Sequence, residues 1–280
     1  MAADTPRRGS LHLSPLGRGR TEATHGFGAG EGAAKFTDIG SPSPQPSPPR
    51  REGVFTWPQA VIFDLDGTLV DTVEDLAAAL NQTLAELGLP PHPLVAVRAM
   101  VGGGLGKLLE RALTAHAAEL DAAQRDAAAA RLLALYAAKP AELSRLYPGA
   151  VKTLAALRAS GVPCGLCTNK PDAISRDLLQ RLGLAEAFGC IQGAAAGLPK
   201  KPDPAGIHRV LANLGVEPAA AIMVGDSVTD VQSARAAGLA ASIVVSYGYS
   251  VTPVTDIGAD AVINHLHELV PALALLPRRQ

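Results

Sequence analysis

Hydrophobic positions along this chain change rhythm several times, and each change marks an expected element. Residues 61–65, entered through Val61-Ile62-Phe63, form a short continuous apolar run that predicts a buried strand. In residues 71–87, Val73, Leu76, Leu80, Leu84 and Leu87 recur at intervals of three and four, the period of an amphipathic helix. Gly88 supplies a natural stop for that helix. From residue 94 to about 139 the pattern stays helical, with Leu105, Leu108, Leu109, Leu113, Leu120, Leu132, Leu133, Leu135 and Tyr136 as its apolar stripes. No strand signal interrupts it.

The second half alternates. Helices are expected over 151–159, 171–182 and 229–237, and strands over 162–167, 220–224, 241–245 and 261–263. A further helix follows Lys200-Lys201-Pro202 and contains His208, read as a packed residue. Strands alternating with helices imply right-handed crossovers and a parallel sheet covered on both faces, which is an α/β fold. The all-helical stretch between the first two core strands must then lie outside the sheet as an inserted cap. This places the core at residues 56–70 and 148–275 and the cap at residues 71–147.

The ends read differently. Residues 1–55 show no sustained periodicity, and Ser41-Pro42-Ser43-Pro44-Gln45-Pro46-Ser47-Pro48-Pro49-Arg50 suits neither a helix nor a central strand. They are expected to be a disordered tail or an overextended start. A targeting peptide is the competing reading, opposed by the missing apolar core and by Asp4, Glu22, Glu31 and Asp38. Another frayed end is expected after Leu276.

Composition narrows the function classes. The 280 residues are 48% hydrophobic but 4% aromatic, and no run is long and apolar enough for a membrane span. A net charge of -1 provides no cationic field for nucleic acid. Three cysteines suit a reducing, cytoplasmic compartment. Cys164 and Cys167 form a C-x-x-C within a strand, where residues three apart face opposite ways, so they are read as structural rather than redox. The chain shows no N-terminal strand with a G-x-G-x-x-G turn, and the histidines have no zinc spacing. Monomer and homodimer remain equally open.

The chemistry gathers where strands end, since open parallel sheets bind ligands beyond the carboxyl ends of their strands. Asp64 and Asp66 close the first strand, Thr168-Asn169-Lys170 the second, and Gly225-Asp226-Ser227 a third, with Asp230 four residues on; Lys200-Lys201-Pro202 precedes a helix. Buried carboxylates repel one another unless a cation compensates them. Asp64, Asp226 and a backbone carbonyl at Asp66 are oxygen ligands of the kind Mg²⁺ prefers. With the metal, Lys201 and the Thr168 hydroxyl would hold a phosphoryl group, leaving Asp64 to attack in line. Asp66 is placed to protonate the leaving oxygen and then to accept a proton from water. Gly67 permits the tight turn that turns both carboxylates into one crevice. Asn169 can either contact the phosphate or support the strand end. The glycine run 102–104 can either bring cap backbone to a small anion or separate two helices.

These residues resemble the motifs of the haloacid dehalogenase-like hydrolases, and among them the phosphoglycolate phosphatase type. Asp64-Leu65-Asp66-Gly67-Thr68-Leu69-Val70-Asp71-Thr72 is similar to the first family motif, Thr168 within Leu166-Cys167-Thr168-Asn169-Lys170-Pro171 to the second, Lys201 to the third, and Val224-Gly225-Asp226-Ser227-Val228-Thr229-Asp230 to the fourth. Many relatives carry Asn at the position of Thr229. The resemblance spans residues 59–272 and implies a Rossmann-like core with a helical cap. It implies Asp64 as nucleophile, Asp66 as acid and base, Asp226 as a Mg²⁺ ligand, and Ser227 and Asp230 as supports of the metal shell and Lys201. Val101-Gly102-Gly103-Gly104-Leu105-Gly106-Lys107 and Ser246-Tyr247-Gly248-Tyr249-Ser250 are similar to segments of the phosphoglycolate group.

The expected activity is Mg²⁺-dependent hydrolysis of a small phosphorylated acid, 2-phosphoglycolate. A phosphatase or mutase acting on a sugar phosphate or pyrophosphate is the alternative, and a non-catalytic phospho-ligand sensor stands last. A dehalogenase would leave Asp66 and Asp226 without a task.

Overall fold

The computed structural model describes residues 57–276; the expectations for residues 1–55 and for the end beyond Leu276 lie outside that range. Six strands form one parallel sheet: β1 (Ala60–Phe63), β4 (Cys164–Pro171), β5 (Cys190–Ala194), β6 (Ala221–Gly225), β7 (Ala241–Val245) and β8 (Ala261–Ile263). They run in the order β5-β4-β1-β6-β7-β8. β1 is central, with Val61 opposite Cys164 on one side and Ile222 on the other. The fold is therefore the α/β parallel sheet expected from the alternating pattern.

Strand side chains alternate between two apolar layers, as a sheet covered on both faces requires. Val61, Phe63, Ile222 and Val224 pack on one face with α5 (Ala150–Ala159), α6 (Asp172–Arg181) and α9 (Leu269–Leu275). Ala60, Ile62, Ala221 and Met223 pack on the other with α7 (Ala205–Leu214) and α8 (Val228–Ala236). Cys164 belongs to the first layer and Cys167 to the second, and both are free thiols. Burial pushes their pKa values up to about 12 and about 11, which suits inert packing rather than redox chemistry.

Between β1 and β4 the chain makes a separate helical layer: α1 (Val73–Glu86), α2 (Leu94–Met100), α3 (Leu105–Ala115) and α4 (Ala122–Ala138). Val73, Leu76, Leu80 and Leu84 of α1 meet Leu108, Leu109 and Leu113 of α3 and Leu132 and Tyr136 of α4 in a core of their own. α1 ends where Gly88 takes φ 74° and Leu89 N–H reaches back to the Leu84 carbonyl at 2.9 Å. α4 starts with Asp121 and Gln124 capping each other's backbone N–H at 2.8 and 3.0 Å. No helix among the described residues is long and apolar enough to cross a membrane.

Several boundaries differ from the sequence reading. β1 ends at Phe63, so Asp64 and Leu65 already belong to the turn, although Asp64 N–H still donates to the Val224 carbonyl at 2.9 Å. β4 runs on to Pro171, because pairing of Pro171 with Ala194 extends it through the polar residues Thr168, Asn169 and Lys170. The edge strand β5 has no alternation to betray it, and the two-residue strands β2 (Val70–Asp71) and β3 (Arg145–Leu146) are too short to carry a pattern. The short helix α9 was likewise not anticipated.

β2 and β3 pair antiparallel where the chain leaves the sheet for the helical layer and where it returns. Asp75, buried in the first turn of α1, fastens these two crossings. Its carboxylate accepts from Leu143 N–H at 2.9 Å, Ser144 N–H at 2.8 Å and the Ser144 hydroxyl at 2.6 Å. Asp75→Ala would leave the two buried Ser144 donors and the Leu143 N–H without their partner and is expected to lower the unfolding free energy by about 2–4 kcal/mol. Asp126→Ala, on the exposed side of α4, should change it by less than about 0.5 kcal/mol. Urea unfolding of the two variants beside the parent checks the difference.

Candidate active site

At the carboxyl edge of the sheet, β1, β4 and β6 deliver their next polar residues to one cavity of about 80 Å³. Its floor includes Asp64, Thr168, Lys201 and Asp226, and its roof is drawn from Leu76, Leu105 and Leu108 of the helical layer. Single carboxylate oxygens of Asp64, Asp226 and Asp230 lie within 4.8 Å of one another. Against these three acids stands Lys201, whose ammonium is 2.7 Å from Asp230 Oδ1 and 2.9 Å from Asp64 Oδ1. The Asp230 contact is a well-aligned hydrogen bond, whereas that to Asp64 is a close ion pair without hydrogen-bond alignment. Asp64 Oδ1 is therefore neutralised in part, and no donor points at it.

Glycines make this crowding possible. Gly67 has φ 82°, and a Cβ there would stand 2.3 Å from Asp226 Oδ2. A Cβ on Gly248 would lie 2.2 Å from the Asp226 Cβ, so Asp226 is gripped between two backbones. Its Oδ2 also accepts from Tyr249 N–H at 2.6 Å. Asp230 is spoken for: Oδ2 accepts from Asp226 N–H at 3.2 Å, Ser227 N–H at 3.1 Å and the Ser227 hydroxyl at 2.6 Å. Both of its oxygens thus serve the loop and Lys201, which leaves Asp64 and Asp226 freer to meet a cation.

Burial and like charge govern the ionisation of this cluster. Burial raises the Asp64 carboxyl to about 6, with Lys201 opposing and Asp230 and Asp66 adding to the rise. Burial also holds Asp226 well above the carboxylate range, helped by Asp230 and Asp64. Burial alone would lower Lys201, but Asp230 and Asp64 outweigh it and keep the ammonium charged. Three acids and one cation leave a deficit of positive charge, and an all-oxygen donor set suits a hard divalent ion. The cluster therefore fits a metal of the magnesium kind, with Asp64 and Asp226 as its side-chain holders and the Asp66 carbonyl as the third expected oxygen.

Asp66 takes a different position from its neighbour. Its carboxylate accepts from the Thr72 hydroxyl at 2.8 Å and from Lys170 Nζ at 2.9 and 3.2 Å. The side chain is thus held outside the three-carboxylate cluster, so any metal contact from Asp66 falls to its backbone. Lys170 also donates to the Tyr136 hydroxyl from α4. Neither Lys170 nor Tyr136 received a role from the sequence. Lys170 stands two residues beyond Thr168 in the same strand-end cluster, and that proximity was the one signal in the sequence that could have singled it out.

Of the two roles left open for Asn169, the side-chain contacts that the structure shows are structural. Its amide oxygen accepts from Lys201 N–H at 2.8 Å and its amide nitrogen donates to the Lys201 carbonyl at 3.0 Å. With both ends on the backbone of Lys201, it positions that lysine. Thr168 is buried, lines the cavity, and its hydroxyl accepts from Lys170 N–H at 3.3 Å. The glycine run 102–104, all at positive φ, also lines the cavity. A Cβ on Gly104 would meet the Asn169 carbonyl at 2.9 Å, so the run brings α2–α3 backbone against the end of β4.

Comparison with known proteins agrees with this geometry. The haloacid dehalogenase-like hydrolase family matches residues 58–238. The chain is 47% identical over 216 residues to a phosphoglycolate phosphatase of Rhodospirillum rubrum, covering 76% of this chain and 89% of that protein. It is 41% identical to one of Caulobacter vibrioides, covering 77% and 91%. A crystal structure described as a predicted phosphoglycolate phosphatase, from Haemophilus somnus, superposes with a TM-score of 0.71 at 29% identity, covering 76% of this chain and 97% of that one.

The raised carboxyls determine how stability responds to pH. Asp64 and Asp226 bind protons in the metal-free fold more tightly than at the ordinary value of 3.8. Their stabilising contribution is complete below about pH 4 and is lost as pH rises through about 6 and beyond. Chelator-treated protein should therefore have a higher Tm at pH 5.5 than at pH 7.5. Added Mg²⁺ should raise the Tm more at pH 7.5, where the carboxylates are free to bind it. Thermal denaturation at the two pH values, with and without the ion, reads both effects.

Proposed function

The chain belongs to the haloacid dehalogenase-like hydrolases, and on that premise we propose that it is a Mg²⁺-dependent phosphatase that hydrolyses 2-phosphoglycolate to glycolate and phosphate. The observation that carries this reading is the meeting of Asp64 with Lys201 in a cluster short of positive charge, with Asp66 held just outside it. A phosphatase needs a nucleophile, a cation at the phosphoryl oxygens and a proton donor placed toward the leaving group. The residues above supply these roles in that spatial order.

A bound Mg²⁺ would supply charge neutralisation of the phosphoryl oxygens and of the Asp64 carboxylate. An Asp64 oxygen attacks phosphorus, and the bond from phosphorus to the ester oxygen breaks. Asp66 gives its proton to that oxygen, and glycolate leaves. Water then attacks the phosphorus of the aspartyl phosphate while Asp66 takes its proton, which releases phosphate and restores Asp64. Thr168 and Lys201 hold the phosphoryl oxygens, Asn169 keeps Lys201 aligned, and Ser227 and Asp230 brace the Asp226 loop. Residues 71–147 act as the cap whose apolar roof excludes bulk water from the intermediate. The small cavity favours a compact substrate over a hexose phosphate. The free thiols accord with a cytoplasmic setting.

Phosphate release at pH 7.5 with Mg²⁺ tests the reading across 2-phosphoglycolate, hexose phosphates, pyrophosphate and a mononucleotide. 2-Phosphoglycolate is expected to show the highest kcat/KM, activity should vanish with chelator, and Asp64→Asn should lower kcat by about 10³-fold or more. A maximum on any other substrate would overturn the substrate assignment, and retained activity in Asp64→Asn would overturn the nucleophile.

A further inference from the structure

Two tiers of charge cross the cavity. Thr168 and Lys170 both come from the last residues of β4, where its register against β5 shifts, and both line the cavity. The inner tier is Thr168, Lys201 and the three carboxylates. The outer tier is Asp66, Lys170 and Tyr136. Lys170 and Lys201 are the two cations among the described residues that are less than a tenth exposed, and both face this one cavity. Burying an ammonium is costly unless it is well compensated. Lys201 is paired with two carboxylates, those of Asp64 and Asp230, whereas Lys170 has a single carboxylate, that of Asp66, already served by the Thr72 hydroxyl.

The opposite wall explains why a second cation is needed. The side chains of Leu76, Leu105 and Leu108 are apolar, so a further anionic group on a bound phosphate ester would find no charged side chain on that wall. Tyr136, anchored in the core of the helical layer, receives a hydrogen bond from Lys170 Nζ and presents its ring 4.4 Å from that nitrogen. The ammonium is thereby kept at the outer tier.

We propose that Lys170, oriented by Tyr136, is the subsite that binds the carboxylate of the substrate and so selects small phosphorylated acids over neutral phosphate esters. This rests on the phosphatase reading above and names the residue that discriminates within it. Lys170 binds substrate through a charge-assisted hydrogen bond and takes no part in bond making or breaking.

The test compares kcat/KM for 2-phosphoglycolate and for ethylene glycol monophosphate, which has the same length but no carboxylate. Parent enzyme, Lys170→Met, Tyr136→Phe and Lys200→Met are measured, with circular dichroism and Tm for each. Lys200 is an exposed lysine beside Gly104 and serves as the control for a merely nearby charge. Lys170→Met is expected to reduce the preference for the carboxylate substrate by about 10- to 100-fold, chiefly through KM. Tyr136→Phe should reduce it less and in the same direction, and it decides the matter if Lys170→Met does not fold. Lys200→Met should leave the preference unmoved. Equal slowing of both esters by the first two variants would overturn the proposal and make Lys170 a support of Asp66 alone; a shift produced by Lys200→Met would overturn it too. A parent enzyme with no preference for the carboxylate ester would instead sink the substrate reading on which the proposal stands.

Discussion

Three carboxylates held around one buried ammonium is the constraint on which the rest of this structure depends. Asp64, Asp226 and Asp230 crowd Lys201 beyond the edge of a parallel sheet, where burial alone would neutralise them. The arrangement persists because backbone and hydroxyl donors saturate Asp230 and because two glycine backbones press on Asp226. A side chain at 67 or 248 would occupy space that Asp226 already fills. The sheet positions the acids, the glycines let them approach, and Lys201 together with a divalent ion makes the approach tolerable.

The helical layer is tied to that cluster through Tyr249. Its backbone N–H holds Asp226, its hydroxyl donates to Asp71 at 2.7 Å, and the same hydroxyl accepts from Thr72 N–H at 2.6 Å. Arg98 of α2 pairs with Asp71 at 2.9 Å and lies over the Tyr249 ring at 5.1 Å. One aromatic residue therefore connects a carboxylate of the inner tier, the segment where the chain leaves the sheet, and a helix of the overlying layer. Lys170 makes a second connection, between Asp66 and Tyr136 of α4. Through these two links the roof of the cavity is held in register with its floor by side chains as well as by the chain crossings.

Much of this was legible in the residue order. A carboxylate directly after an apolar strand can be placed at a sheet edge by the strand's period alone, and Asp64 and Asp226 both follow that rule. The helices of the layer showed themselves through intervals of three and four because each has one apolar stripe to bury. The edge strand β5 stayed hidden because Cys190-Ile191-Gln192-Gly193-Ala194 shows no alternation. The continuation of β4 through Thr168, Asn169 and Lys170 was hidden for a related reason. Those polar residues lie where the pairing with β5 breaks between Cys167 and Pro171, and their side chains are directed to the cavity and its neighbours rather than to an apolar layer.

Local order thus determined the α/β class, the chemistry of the sheet edge and the identities of the acids, since each depends on residues within one element and its turn. The tertiary structure alone decided which groups pair. Asn169 holds the backbone of Lys201, 32 positions away, and Lys170 reaches Asp66 across 104 positions. Such pairings depend on how strands are ordered and on where a helix from another layer rests, and neither is written in the periodicity of either partner. A buried charge must find its counterion, but only the folded chain specifies which one lies within reach.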